Sequence, residues 1–288
     1  MNTLKIRTLG QIQVQLDGQE AQFHSEPARA LLFYLLSFVE GRSKAEILHD
    51  LWDEEESPQV NNRFRVTLHR IRTALGAPDG IKEQYGRYQI SREVLQSSDL
   101  YRFYVHLSQA EHCSGRERLQ ELQKALSFYT GNYLDGMDHE WVQQAREEHK
   151  TAYVRALLEL SMLYCHEGQC EDTVHALFRA LKSDPFIGEN YHQKLMTCLS
   201  VVEDRYSAIE HYRRFIHFLK NELQDTPMQD TVALAQRIKD GEAICKRKHE
   251  DAPTESEMTH NCPFTPTGQC PEFFMDLADC NPEQNTVA

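Results

Sequence analysis

No stretch of this 288-residue sequence approaches the roughly 18 consecutive apolar residues that a membrane-crossing helix needs. Its first residues, MNTLKIRTLGQIQVQL, alternate apolar with polar and hold no apolar signal core, so no export and no membrane partner are expected, and the expected location is cytoplasmic. The phosphate loop G-x-x-x-x-G-K-[ST] is missing, as are the dinucleotide loop G-x-G-x-x-G and the nucleophile elbow G-x-S-x-G. His139-Glu140 opens like a zinc-protease H-E-x-x-H helix, but position 143 is Gln. There is no C-x-x-C pair. Cys262, Cys270 and Cys280, with His260, stand too far apart for a recognisable zinc site. The other cysteines, Cys113, Cys165, Cys170, Cys198 and Cys245, fall in helix-like surroundings and are expected as reduced thiols. His166, His175, His192, His211 and His217 share no common spacing and read as ordinary surface or core residues. These absences leave no catalytic residue, no metal ligand and no cofactor to expect.

What is present is an uneven charge. The formal net charge is -13, yet residues 58–92 hold seven Lys/Arg (Arg63, Arg65, Arg70, Arg72, Lys82, Arg87, Arg92) against only Asp79 and Glu83. Residues 241–288 reverse this, with three basic and nine acidic positions. A basic patch inside an acidic chain marks a candidate polyanion site, and the acidity of the rest argues against indiscriminate nucleic-acid binding.

Period-two alternation over Leu4, Ile6, Thr8 and over Ile12, Val14, Leu16 predicts two half-buried strands. Asp17-Gly18 predicts a hairpin turn, with Ala21 to Phe23 as the return strand. Ser25 and Pro27 open a core helix through Ala30–Phe38 that Gly41 should stop. Ser43 and Glu46 form a capping box for a short second helix ending near Trp52. Ser57-Pro58 opens a third helix. On its wheel Phe64, Leu68, Ile71 and Leu75 make one buried stripe; Asn62, Val66, His69, Arg70 and Thr73 lie opposite, flanked by Arg63 and Arg65. The segment 81–90, IKEQYGRYQI, predicts a hairpin turning at Gly86, with Tyr85, Arg87 and Tyr88 close to its tip. Three helices and a hairpin, with the last helix basic outside, predict a winged helix. The helix at about 58–75 would enter the major groove of double-stranded DNA, and the wing at 81–90 would set Lys82 or Arg87 on phosphate or in the minor groove.

Beyond residue 96 almost no strand signal remains. Leu119, Leu122, Leu126, Tyr129, then Tyr153, Leu157, Leu160, Leu163, recur at helical spacing. DTVHALFRAL (172–181) and YSAIEHYRRF (206–215) align at an offset of about 34 residues, the tetratricopeptide period. After Gly241 the pattern fails, and a flexible Cys-containing tail over 241–288 is expected, in which EFFMDLADC could make a short docking helix.

The segments LGQIQVQLDGQ, ARALLFYLL, ILHDLW, NNRFRVTLHRIRTALG and YGRYQI resemble the winged helix of response-regulator output domains, and more closely the Streptomyces antibiotic regulatory protein family. FYTGNYLDGMDHEWV and the helices that follow resemble the bacterial transcriptional activator domain. The resemblance implies a mainly α chain: a winged-helix domain at 1–96, an all-α tetratricopeptide-like domain at 97–240, then the tail. It implies a DNA-binding transcription regulator, an activator in preference to a repressor, with the helical domain serving dimerisation, at least on DNA. Carried over by position, Arg65, Thr67, His69 and Arg70 fall where groove-contacting side chains occur, and Arg72 where an arginine bonds backbone. With Arg63, Lys82 and Arg87 these make the expected DNA-binding set. The loop holding Glu54, Glu55 and Glu56 falls where relatives meet RNA polymerase. Neither the ATPase module of larger relatives nor a receiver domain is expected.

The competing reading is a protein-interaction adaptor whose tetratricopeptide-like helices bind a partner beside a non-functional winged helix. Arginine kept on the outward face of residues 62–73 and at the wing speaks against it.

Overall fold

The computed structural model describes residues 3–23 and 25–245; the expected tail lies almost wholly outside them. The chain divides into two compact units, one of residues 1–109 with 124–152, the other of residues 110–123 with the chain from 153 onward.

The first unit opens with β1 (Leu4–Arg7), β2 (Gln13–Leu16) and β3 (Gln19–Glu20), an antiparallel sheet in that order. Ile6 stands opposite Val14, and both are buried, as the alternation requires. Asp17 and Gly18 both have positive φ, 52° and 79°, the two-residue turn whose twist matches an antiparallel pair. That turn sets Gln19 directly against Leu16. The return strand is therefore Gln19–Glu20 and not the more apolar Ala21–Phe23, of which Ala21 N–H makes one bond to Val14 O at 2.8 Å.

Next come α1 (Glu26–Ser37), β4 (Arg42–Ser43), α2 (Lys44–Trp52), α3 (Pro58–Ala74), β5 (Ile81–Gln84) and β6 (Arg87–Ile90). Residues Ala30 to Leu36 of α1 are buried on every side, so α1 is the central helix of this unit. It ends at Ser37, before Gly41. Gly41 meets a different need: at φ 81°, an added Cβ would lie 3.0 Å from Tyr88 O and 3.1 Å from Gln89 Cβ. The capping box of α2 forms as the sequence predicts, with Glu46 N–H donating to Ser43 Oγ (3.2 Å) and Ser43 N–H to Glu46 Oε2 (2.7 Å). The wing sheet runs β4-β6-β5, so the short β4 completes a three-stranded winged helix.

Helices α4 (Arg92–Gln96), α5 (Asp99–Glu111), α6 (Gly115–Phe128) and α7 (Glu140–His166) follow. Within the first unit, Asp99 accepts from Thr8 N–H (2.8 Å), Thr8 Oγ1 (2.7 Å) and Leu9 N–H (3.0 Å). Leu134 N–H bonds Thr8 O at 2.8 Å, Gly10 N–H bonds Asn132 O at 2.9 Å, and Ser37 Oγ meets Tyr133 OH at 2.6 Å. The open end of the first sheet is thus closed by chain that follows the winged helix.

In the second unit, α8 (Cys170–Ser183), α9 (Glu189–Val202), α10 (Arg205–Phe218) and α11 (Gln229–Lys239) surround a core of Leu177, Leu195, Leu199, Ile209 and Ile238. Helix α9 packs on both α8 and α10, which carry the two aligned segments. Their equivalent residues Val174 and Ala208 both lie in that core. Each helix pair buries its apolar face on the next, the stacking logic of a helical repeat.

Candidate nucleic-acid interface

Helix α3 begins where Ser57 Oγ accepts from Val60 N–H at 3.2 Å, with Pro58 in its first turn, and it stops at Gly76, whose φ is 59°. Phe64, Leu68, Ile71 and Leu75 are buried, and Phe64 sits edge-on to Trp52 (6.1 Å) and Tyr88 (4.9 Å). That contact orients the helix on both α2 and the wing. Asn62, Arg65, Val66, His69, Arg70 and Thr73 are left exposed on the opposite face.

The eight expected DNA-facing residues do not share one situation. Arg65, His69 and Arg70 are exposed on the outer face of α3, and Lys82 is exposed on β5. Thr67 departs from expectation. It is buried, and its hydroxyl donates to Arg63 O at 2.9 Å, so its side chain belongs to the inner face. The 100° step places it beside Phe64 and Ile71, which position-by-position carry-over did not register. Arg72, expected on the DNA, instead donates to Ile81 O at 2.8 Å and ties α3 to the wing. Arg87 is not at the wing tip: its Nε and Nη2 donate to Gly41 O at 3.2 and 2.7 Å. The tip is Tyr85-Gly86, both at positive φ, with Tyr85 95% exposed. Arg63 lies over the Trp52 ring at 4.4 Å and forks onto Glu54, at 3.1 and 2.5 Å.

The comparisons with known proteins bear on this geometry. Residues 98–239 match the model of the bacterial transcriptional activator domain. Mycobacterium tuberculosis EmbR in complex with a low-affinity phosphopeptide superposes with a TM-score of 0.69 at 20% identity, over 84% of this chain and 66% of that one. At that identity the likeness is one of fold. No curated protein sequence matches the chain. Residues 98–239 are thus similar to the bacterial transcriptional activator domain, and here that segment follows a winged helix.

The acidic loop after α2 is held from both sides. Asp53 ends α2 in the left-handed region at φ 51°, which turns the chain sharply. Glu54 then pairs with Arg63, and Glu56 accepts from Lys44 Nζ at 2.9 Å. Asp53 and Glu55 are exposed. Sequence reasoning saw the acidic run but not these two pairings, since they link residues across a turn whose direction no motif announces. The described residues contain no cluster that could hold a metal ion and no helix long and apolar enough to cross a membrane.

Proposed function

We propose that this chain is a sequence-specific binder of double-stranded DNA that activates transcription in the cytoplasm. The observation that carries the reading is the division of α3. Its inner stripe is locked on Trp52 and Tyr88, while Arg65, His69 and Arg70 stand exposed side by side on the outer face. Arginine presents two donors in one plane and suits the paired acceptors of guanine in the major groove. Lys82 and the Tyr85 tip would rest on the adjacent backbone, where contacts position and do not discriminate. Arg63, Arg72 and Arg87 act one step back: each is already bonded within the fold and holds the helix, wing and acidic loop in register. A single winged helix reads too few base pairs to find one site in a genome, so two copies on DNA complete the reading. The exposed edge of the acidic loop, centred on Glu55, would meet a basic surface of RNA polymerase.

Selection of binding sites from a random duplex library with the purified full-length protein tests this. A defined, repeated motif is expected. Recovery of unenriched sequence would favour the adaptor reading.

A further inference from the structure

Helices α8 and α10 of the second unit expose a stripe of aromatic rings. On α8, Phe178 is 41% exposed, and Lys182, one turn on, is exposed beside it. Phe186, in the turn that follows, is 60% exposed. On α10, His211, Arg214 and Phe218 recur at the spacing of one helix face. Two ring contacts join these elements into one surface. Phe178 stands edge-on to His211 at 6.3 Å, and Phe186 edge-on to Phe218 at 5.4 Å. The stripe is therefore aromatic along its length, with Lys182 and Arg214 as its cations. The Arg214 side chain is 73% exposed and meets Glu210 at 3.2 Å, a surface pair too weak to withhold it from another carboxylate. Contiguous rings left in water mark a docking surface, and the cations beside them call for an acidic occupant.

We propose that the occupant is the segment EFFMDLADC, residues 272–280 of the same chain, with Phe273 and Leu277 on the rings and its carboxylates toward Lys182 and Arg214. The segment lies outside the described residues, and its sequence is the counterpart of the stripe. Residues 249–288 hold no Lys or Arg. At 100° per residue Glu272, Asp276 and Asp279 fall on one side, beside Phe273 and Leu277, so an acidic edge runs along an apolar one. Reach decides in favour of the chain's own segment. The described chain ends near the start of α10: an added Cβ on Gly241 would lie 3.9 Å from Arg205 Nη1, and Ile244 is buried in the core of this unit. The stripe occupies the middle and far end of α10, whose 14 residues span about 21 Å. Residues 246–271 bridge that gap, and a flexible chain of that length has ends roughly 25–30 Å apart. A tether matched to its span raises the effective concentration of its end to the millimolar range, so modest surface contacts suffice. The contact belongs to the second unit and does not depend on DNA binding.

Hydroxyl-radical footprinting of the full-length protein tests this against a Phe273→Ala/Phe274→Ala double variant, which keeps every charge. Oxidation of Phe178 and Phe186 should rise several-fold in the variant, while that of the exposed Tyr85 stays level. In the wild type a carbodiimide should join Lys182 to Glu272, Asp276 or Asp279 of its own chain, as read from a mixture of isotopically heavy and light protein. Equal oxidation of Phe178 and Phe186 in the two proteins would overturn the assignment. So would crosslinks of these carboxyls that pass over Lys182 for lysines elsewhere, or Lys182 crosslinks that join heavy to light chains, which would give the stripe to a second copy.

Discussion

Arg65 and Arg70 are the residues on which specificity would turn, and their value lies in what they do not touch. Neither engages another described residue by hydrogen bond or ion pair, whereas Arg63, Arg72 and Arg87 are each committed to a partner. A guanidinium available at the surface can give both donors to a base, and one already bound cannot. Buried histidines form the opposite case. Burial lowers His149 to about 4; burial and then His211 lower His192 to about 3; burial and then Arg214 lower His211 to about 4. His192 Nδ1 meets His211 Nε2 at 3.2 Å, one ring donating its N–H to the bare nitrogen of the other, and the His192 ring stacks on Phe215 at 3.9 Å. All three are neutral in the fold. The unfolded chain takes up protons below about 6.5 while the folded one does not, so stability falls as pH drops from about 6.5 toward 4, by up to about 1.4 kcal/mol per pH unit for each ring. Ring-proton NMR between pH 7 and 5 should find all three without a titration midpoint; a midpoint near 6.5 in any of them would contradict this. Sequence placed two of these, His192 and His211, as ordinary residues, and spacing alone could not show that α9 and α10 bring them together.

At the scale of elements, what was legible was local. The Ser43–Glu46 box, the Ser57-Pro58 start and the Phe64, Leu68, Ile71, Leu75 stripe all span one or two turns of chain, and all formed as the sequence predicts. What was not legible depends on closure between distant segments. Strand β4 exists only because Arg42 and Ser43 find Tyr88 and Arg87, and the return strand begins at Gln19 because the turn geometry outweighs apolarity. The acidic loop is also a closure, and it divides its own roles. The Glu54–Arg63 and Glu56–Lys44 pairs are surface contacts worth at most about 1 kcal/mol, so their effect is to aim the loop and not to hold the fold. Glu55→Gln should therefore leave DNA affinity within about twofold and lower activated transcription. Glu54→Gln should disturb both, because it releases Arg63 at the edge of α3. A gel shift paired with in vitro transcription from one promoter separates them. Unchanged transcription in Glu55→Gln would return the loop to a purely structural role.

For the whole molecule, composition indicated an acidic chain with one basic patch, and the pattern of residues indicated a winged helix before a helical repeat. What it could not show is that the compact unit holding the winged helix also takes in residues 99–109 and 124–152. Asp99, Tyr133 and Leu134 bond Thr8, Leu9 or Ser37 across 90 or more positions of sequence, beyond the reach of any period. Two copies on DNA are proposed from the limited reach of one recognition helix. Sedimentation of the protein on its selected duplex should give two chains per site, with half-sites about one helical turn apart. One chain per site at saturation would contradict that.

The central claim is that the outer face of α3 reads bases while the wing holds the backbone. Its most direct test is the affinity of the full-length protein, Arg70→Ala and Lys82→Ala for the selected duplex and an unrelated one over a salt series. Arg70→Ala should lose about tenfold or more on the selected duplex, the loss of a 1–3 kcal/mol base contact, and little on the unrelated one. Lys82→Ala should weaken both alike and reduce the salt slope by about one. If Arg70→Ala binds the selected duplex like wild type, the groove assignment of α3 is wrong.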